Sequence, residues 1–387
     1  VSDRYRVILN DRVLYRPLTG VGHYTRQLLR AFREMSTGEL DVQPFLGRYW
    51  AAPGPDAAST SSDARGPSST RWRREAEWMR GLARRACEPP YEMLFRWLTR
   101  RFQLYHEPNH IPIATKLPTV TTIHDISVLS HPEWHPDHRV RWYERQFERG
   151  RRQSVRFIAA SEFTRRELVE RLQIPADRID VTHQAARPEF YRREMLTVHE
   201  TFRAINMPEQ FFLFVGTLEP RKNVSTLLEA HMRLPAPIRR AYPLVLVGAW
   251  GWKNEALDSA LQAGQAAGDV RVLGYVGNET LACLYSACTA LVWPSLYEGF
   301  GLPPLEAMAC GAPVVVSDVA SLPEVVGDAG VRLDPLHVES WTEAMRRMVE
   351  DPAWRGQWSE KGLARAATFS WQRCAAQTLE TYRRAIG

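Results

Sequence analysis

The sequence is short of long apolar runs, of paired cysteines and of a strong charge imbalance. None of its 387 residues falls in a run approaching the ~18 apolar residues of a membrane-spanning helix, so no spanning segment is expected. The five cysteines (Cys87, Cys283, Cys288, Cys310 and Cys374) are odd in number and show no CxxC spacing. That pattern argues against a disulfide framework and for free thiols in a reducing compartment. No signal peptide is expected either, because Val1 to Arg6 leads straight into a strand pattern. The net charge of +6 suits phosphate-bearing ligands or anionic lipid and is weak evidence for nucleic acid. Of the histidines, His131, His135 and His138 lie close in sequence, but Pro132 and Pro136 break the helical spacing that would gather them on a metal. No metal site is expected.

A chain of this length fits two domains. Arg6 to Asn10 reads as a first strand, followed by Gly20-Val21-Gly22 and a helix with Leu28, Leu29 and Phe32 on one face. A glycine pair between a first strand and a first helix suits either close approach to a phosphate or sugar, or a plain turn. Leu40 to Leu46 reads as a second strand. Residues 51–69, rich in Ala, Ser, Pro, Gly and Asp, read as a mobile loop. The arginine-rich segment 71–85, with Trp72, Trp78, Met79 and Leu82, and its continuation to Phe102 offer two readings. One is a helix packed on its own domain; the other is a surface for anionic membrane.

Strand patterns resume at 103–109, where the strand runs into a polar loop, and at Thr119 to Ile123, the latter ending in His124-Asp125. A further strand at 156–161 leads to a helix capped by Ser161, and Ile179 to Thr182 closes the first half. A linker is expected over 188–208. Beyond it, apolar strands at 211–216, 244–248, 270–273, 290–294, 314–318 and 331–333 alternate with helices, which argues for a parallel sheet covered on both faces.

The stretch from Leu291 to Gly311 organises the second half. A buried strand turns through Gly299 and Gly301 and restarts as a helix with Pro303 and Pro304 at its entry. Glu298 lies in the turn, and Glu306 is expected in the helix's first turn. Carboxylates there either cap the helix or accept hydrogen bonds from sugar hydroxyls. Together, Glu298 to Glu306 resembles the E-x7-E signature of retaining glycosyltransferases of the large nucleotide-sugar family (glycosyl transferases group 1, GT4). Ala312 to Asp318, Leu322 to Gly330, Gly20 to Tyr24 and Ala160 to Arg165 are also similar to that family. So is Gly216-Thr217-Leu218-Glu219-Pro220-Arg221-Lys222-Asn223, which follows the second domain's first strand. The resemblance spans most of the chain apart from about 47–102, and its motifs look most like those of bacterial mannosyltransferases.

The resemblance implies a GT-B fold of the α/β class: two Rossmann-like doubly wound domains facing a cleft, with a C-terminal helix crossing back to the first. The expected divisions are 1–190 for acceptor binding, with a mobile insertion at about 47–102, then 205–370 for the nucleotide sugar, and a returning helix at 371–387. It implies transfer of a sugar, with GDP-mannose the first donor expected, to a saccharide acceptor. That acceptor is expected to be lipid-linked, at the cytoplasmic face of the membrane, in polysaccharide assembly. Arg221 and Lys222 would hold the diphosphate as fork and point charge. The amides of Gly20, Gly22, Gly299, Phe300, Gly301 and Leu302 would assist. Glu306 would hold the ribose, Glu298 would face the sugar, and Tyr275 and Val276 would present backbone to the base. His124 and Asp125 match a pair that relatives carry near the transferred sugar, although a lone histidine is also a common structural residue. Thr217 departs from the arginine many relatives carry after that glycine. No two aspartates lie two apart, so the DxD metal clamp of the other large glycosyltransferase fold is absent and no divalent cation or other cofactor is expected. The alternative reading is a non-catalytic protein on the same scaffold, binding membrane or nucleic acid.

Overall fold

A computed structural model describes residues 5–15, 18–35, 40–49, 91–252 and 255–387. The loop expected at 51–69, the basic segment 71–85 and Cys87 lie outside the described residues. The described cysteines, Cys283, Cys288, Cys310 and Cys374, are buried free thiols.

Two six-stranded sheets carry the fold. The first comprises β1 (Tyr5–Leu9), β2 (Leu40–Pro44), β3 (Leu104–Glu107), β4 (Thr119–Ile123), β5 (Ser154–Ala159) and β6 (Ile179–Val181), in the order β2-β1-β3-β4-β5-β6. The second comprises β7 (Phe212–Val215), β8 (Leu244–Val247), β9 (Val270–Gly274), β10 (Ala290–Trp293), β11 (Val314–Ser317) and β12 (Val331–Leu333), in the order β12-β11-β10-β7-β8-β9. Its pairings are parallel. This second order is the doubly wound dinucleotide-fold arrangement, and the first is its flavodoxin-like counterpart extended by one strand. Each sheet reverses its strand order once, between β1 and β3 in the first and between β7 and β10 in the second.

By internal contacts the chain forms two compact units: Val1–Ile123 with Arg145–Ile158 and Ala375–Gly387, and His124–Glu144 with Ala159–Cys374. The sequence places the division near 190–205 instead. The residues that follow β4 and β5 group with the second unit because His124, Ser161 and Thr164 engage the Gly299 turn. Within the expected linker, Met195–Ala204 is a helix. Val198 and Phe202, four residues apart, are buried in the second unit's core.

In the first unit, Pro44 ends β2, since it has no N–H to continue the ladder, and Phe45–Tyr49 turns helical. Residues 91–99 form a helix whose Phe95 ring lies 4.9 Å from both Phe45 and Tyr105. The described end of the supposed insertion is therefore packed core. The final helix, Trp371–Ile386, places Tyr382 against β3: its hydroxyl is 2.6 Å from His106 Nδ1, and Thr122 Oγ1 holds the other ring nitrogen at 2.8 Å. In the second unit, Phe214 and Trp293 stack at 5.0 Å across β7 and β10, which locks the two strands at the point of reversal.

Replacing Tyr382 with Phe keeps the ring but strips a buried imidazole nitrogen of its hydroxyl partner. The expected cost is about 1–3 kcal/mol, read as a lower urea midpoint with unchanged slope. An unchanged midpoint refutes this role for the returning helix.

Candidate active site

Most of the expected site residues converge where the second sheet reverses, at the carboxyl ends of β7 and β10, the usual ligand position of such sheets. After β7 the chain makes one 3₁₀ turn, Pro220–Lys222. Asn223 follows in the left-handed region (φ +53°), and its Nδ2 donates to the carbonyls of Pro294 (3.1 Å) and Pro335 (2.8 Å). Arg221 and Lys222 thus sit on a turn pinned to the end of β10, ahead of the helix Val224–Met232.

Glu298 is buried at the centre. Its Oε1 accepts from Lys222 Nζ (2.5 Å), Ser295 Oγ (2.6 Å) and Trp293 Nε1 (3.1 Å), and its Oε2 accepts from Arg221 Nη1 (3.2 Å). Arg221 also reaches Glu219 Oε1 through Nε (2.6 Å) and the Tyr297 carbonyl through Nη1 (3.1 Å). Lys222 Nζ lies 4.6 Å from the Trp293 ring centre. Two carboxylates and two cations therefore alternate, Glu219–Arg221–Glu298–Lys222, and their charges cancel. The resemblance gives Glu298 to the sugar and the two cations to the diphosphate, whereas the structure joins all three. Buried charges require close partners, and here each is the other's. Burial by itself would raise the Glu298 carboxyl, but Lys222 and then Arg221 outweigh it and hold its pKa below the ordinary 4.5. For Arg221, burial works against the charge, yet Glu298 and Glu219 more than compensate and raise its pKa.

The Gly299 turn is clasped from three sides. A Cβ at Gly299 would lie 1.9 Å from the His124 carbonyl oxygen, so no side chain fits. Its own carbonyl accepts from Ser161 Oγ (2.7 Å) and Thr164 Oγ1 (3.2 Å). Ser321 Oγ lies 2.9 Å from the carbonyl oxygens of both Glu298 and Phe300. Gly301 (φ +108°) caps the helix Leu302–Ala309, with Pro303 and Pro304 next. Those prolines have no N–H, so of the helix's first three residues only Leu302 offers an amide.

Glu306 is the fifth residue of that helix, in its second turn and not its first, because the helix begins directly after Gly301. The carboxylate is buried against Arg187, which approaches at 2.7 Å through Nε and 3.4 Å through Nη2. Burial raises the Glu306 pKa against the pull of Arg187. Arg187 is itself held by Asn278 Oδ1 at 3.0 Å and lies 4.2 Å from the Phe190 ring centre. Nothing in the sequence singles out Arg187: it stands just ahead of the expected linker, outside every motif.

His124 is half-buried, and Gln184 Nε2 donates to its Nδ1 (3.1 Å), which leaves the proton of the neutral ring on Nε2. Asp125 Oδ1 accepts from Ser127 N (2.9 Å) and Oγ (2.7 Å) and so shapes the turn into the helix Ser127–Ser130. Thr217 is half-buried beside β7. Exposed Tyr275 and half-buried Val276 follow β9, the edge strand, which β8 separates from β7, so they start about 10 Å from the cluster. Gly20 and Gly22 begin the helix Gly20–Glu34 of the first unit. Gly20 is exposed with open space around it, whereas a Cβ at Gly22 would meet Leu18 at 2.7 Å.

The first sheet's reversal holds a cluster that sequence reading passes over. Glu107 accepts from Tyr105 Oη (2.5 Å), Asn10 Nδ2 (2.6 Å) and the Asn109 amide (3.0 Å), and burial raises its pKa to about 7.

Glu298→Gln leaves Lys222 and Arg221 buried without their shared counter-charge. The expected loss is about 3–5 kcal/mol at pH 7, measured by thermal unfolding. Because the folded pKa is depressed, wild-type Glu298 contributes fully above about pH 4.5 and loses that contribution as pH falls through its lower folded value. The gap between wild type and variant should close over the same range. A gap independent of pH rules out the ionised pair.

Comparison with known proteins gives the family. Residues 199–365 match the family model "Glycosyl transferases group 1", and residues 18–190 match "Glycosyltransferase Family 4". The O-antigen chain mannosyltransferase B of Escherichia coli is 36% identical over 386 residues, covering 98% of this chain and 99% of that protein. Among solved structures, Anabaena HepE in complex with UDP and glucose superposes with a TM-score of 0.70 at 16% identity, covering 98% of this chain and 100% of that one. Sucrose-phosphate synthase from Thermosynechococcus elongatus gives 0.71 at 20% identity, covering 98% and 99%. At such identities these two structures speak for the GT-B fold. With both halves matched to family models and a relative aligned end to end, this chain belongs to glycosyltransferase family 4, the glycosyl transferases of group 1, and is a glycosyltransferase.

Proposed function

We propose that the protein transfers mannose from GDP-mannose, with retention, to a lipid-linked saccharide in the assembly of a cell-surface polysaccharide, without a divalent metal. The observation that carries this reading is the Arg221–Glu298–Lys222 cluster at the reversal of the second sheet. The mannose and the polysaccharide come from likeness to the O-antigen chain mannosyltransferase of Escherichia coli.

Negative charge grows on the departing diphosphate as the glycosidic bond breaks, and fixed cations there lower the barrier. Arg221 Nη2 makes no hydrogen bond among the described residues, and Lys222 Nζ has donors beyond the one it gives Glu298. A diphosphate arriving at this neutral cluster shares those donors with Glu298, so charge is supplied without leaving a bare buried cation beforehand. Ser295, Trp293 and Ser321 keep Glu298 in place while its cations turn toward phosphate. Glu306, oriented by Arg187, accepts from the ribose hydroxyls. His124 Nε2 faces the transferred sugar as a donor, and a donor phosphate oxygen takes the acceptor's proton on the same face. Gly301 and Leu302 add amides, while Tyr275 and Val276 offer backbone to the base.

No helix among the described residues is long and apolar enough to cross a membrane. The helix at 91–99 buries Phe95 and leaves Met93 and Trp97 exposed, with Arg96, Arg100 and Arg101 also at the surface. An apolar pair ringed by arginines suits attachment to the anionic inner face of the cell membrane.

Donor hydrolysis is expected with GDP-mannose and to be absent with UDP-, ADP- and dTDP-sugars. It should be unchanged by EDTA and fall by about 10²–10³ in Lys222→Ala. Turnover of a UDP-sugar, or loss in chelator, refutes the donor or the metal-free mechanism respectively. On vesicles containing anionic lipid, Trp97→Ala should sediment less than wild type while hydrolysing donor equally. Equal sedimentation removes the membrane surface.

A further inference from the structure

A recess of about 350 Å³ opens in the second unit beside the Leu296–Tyr297 segment, at the lower end of the size of ligand pockets. One wall is aromatic. His131 stacks on Trp134 at 4.0 Å and 13°, and the Tyr297 ring meets His131 at 5.5 Å and Phe163 at 5.5 Å, both edge-on. That wall is rigid, because the Tyr297 hydroxyl donates to buried Glu167 and accepts from the Ile126 amide at 3.3 Å. The rim is charged and mixed: Arg166, Glu170 and Arg171 stand exposed around it, and Arg171 pairs with Glu167 at 3.1 Å.

Two further features tie the recess to the active site. Tyr297 directly precedes Glu298. Ala320, also in the lining, adopts φ +57° and directly precedes Ser321, which holds the carbonyls on either side of Gly299. A non-glycine residue in the left-handed region costs of order 1–3 kcal/mol, and such strain gathers at functional sites.

The chemistry of the lining selects a class of ligand. An anion would meet Glu167 and Glu170, a cation would meet Arg166 and Arg171, and a purely apolar ligand would strip water from all four. A neutral sugar ring fits both parts. Its C–H face lies on aromatic rings, and its hydroxyls both donate to carboxylates and accept from guanidinium groups. We propose that this recess binds a pyranose unit of the saccharide acceptor, with Phe163 and His131 against its apolar face and Arg166 and Glu170 on its hydroxyls. The inference rests on the reading of the protein as a transferase to a saccharide.

The test measures binding and turnover separately. Methyl α-D-mannopyranoside and the α-linked mannobioses are titrated into the full-length protein by saturation-transfer NMR, without donor. Arg166→Ala with Glu170→Gln, and separately Phe163→Ala, should each weaken saccharide binding about tenfold. Donor hydrolysis and the thermal shift with GDP should stay as in wild type, which also shows that the variants are folded. Saccharide affinity equal to wild type in all variants overturns the proposal, as does wild-type protein that binds none of the sugars while hydrolysing donor. Saccharide binding that falls in the variants, in a protein that hydrolyses no nucleotide sugar, retains the recess and refutes the transferase reading.

Discussion

Everything at the second sheet's reversal depends on one buried carboxylate. Glu298 gathers an ammonium and a guanidinium that approach from the turn after β7, and it is itself delivered by the turn after β10. Those two strands are neighbours only because the sheet changes direction between them. The ion pairs therefore hold together two loops that the topology has already brought side by side. In return, the loops are fixed in the conformation that presents their remaining donors.

That arrangement reconciles two demands that would otherwise conflict. A group-transfer site needs positive charge ready for a departing diphosphate, but an unpaired buried cation is severely destabilising. A neutral alternation of Glu219, Arg221, Glu298 and Lys222 satisfies the resting protein, and in the proposed transfer it would still offer donors to phosphate. The same logic recurs one helix away, where Arg187 neutralises Glu306. Hydrogen bonds from Ser295, Trp293 and Ser321 then make the geometry single-valued. Gly299, with the His124 carbonyl where its side chain would be, lets the loop after β4 close on the same turn.

The first unit repeats the architecture with different chemistry. Its reversal point gathers Asn10 and Tyr105 on the Glu107 carboxyl, whose pKa burial raises to about 7 against these hydrogen bonds and the pull of Arg12. Its core is closed by a segment from the far end of the chain: Tyr382 bonds to His106 across 276 residues of sequence. Such long-range closure makes the last helix part of the first unit's stability.

The sequence alone determined the alternation of strands and helices and the two-sheet class, because burial on both faces of a parallel strand leaves a continuous apolar signature, and it marked the segments that carry the candidate site. Strand limits hold to within a residue or two, and the turns at Gly216 to Asn223 and Glu298 to Leu302 are marked by glycine and proline. What it did not determine is pairing. The bond of Glu298 to Lys222, the clamp of Arg187 on Glu306 and the clasp of Ser161 on Gly299 join residues 76, 119 and 138 apart. No local periodicity records such distances. The resemblance likewise set about 47–102 apart as an insertion, whereas Phe95 lies between Phe45 and Tyr105 in a packed core, as the packed-helix reading of that stretch expects. Local pattern fixes which backbone forms where; which charges meet is decided only when the sheet order brings distant loops together and burial leaves each charge to find its opposite.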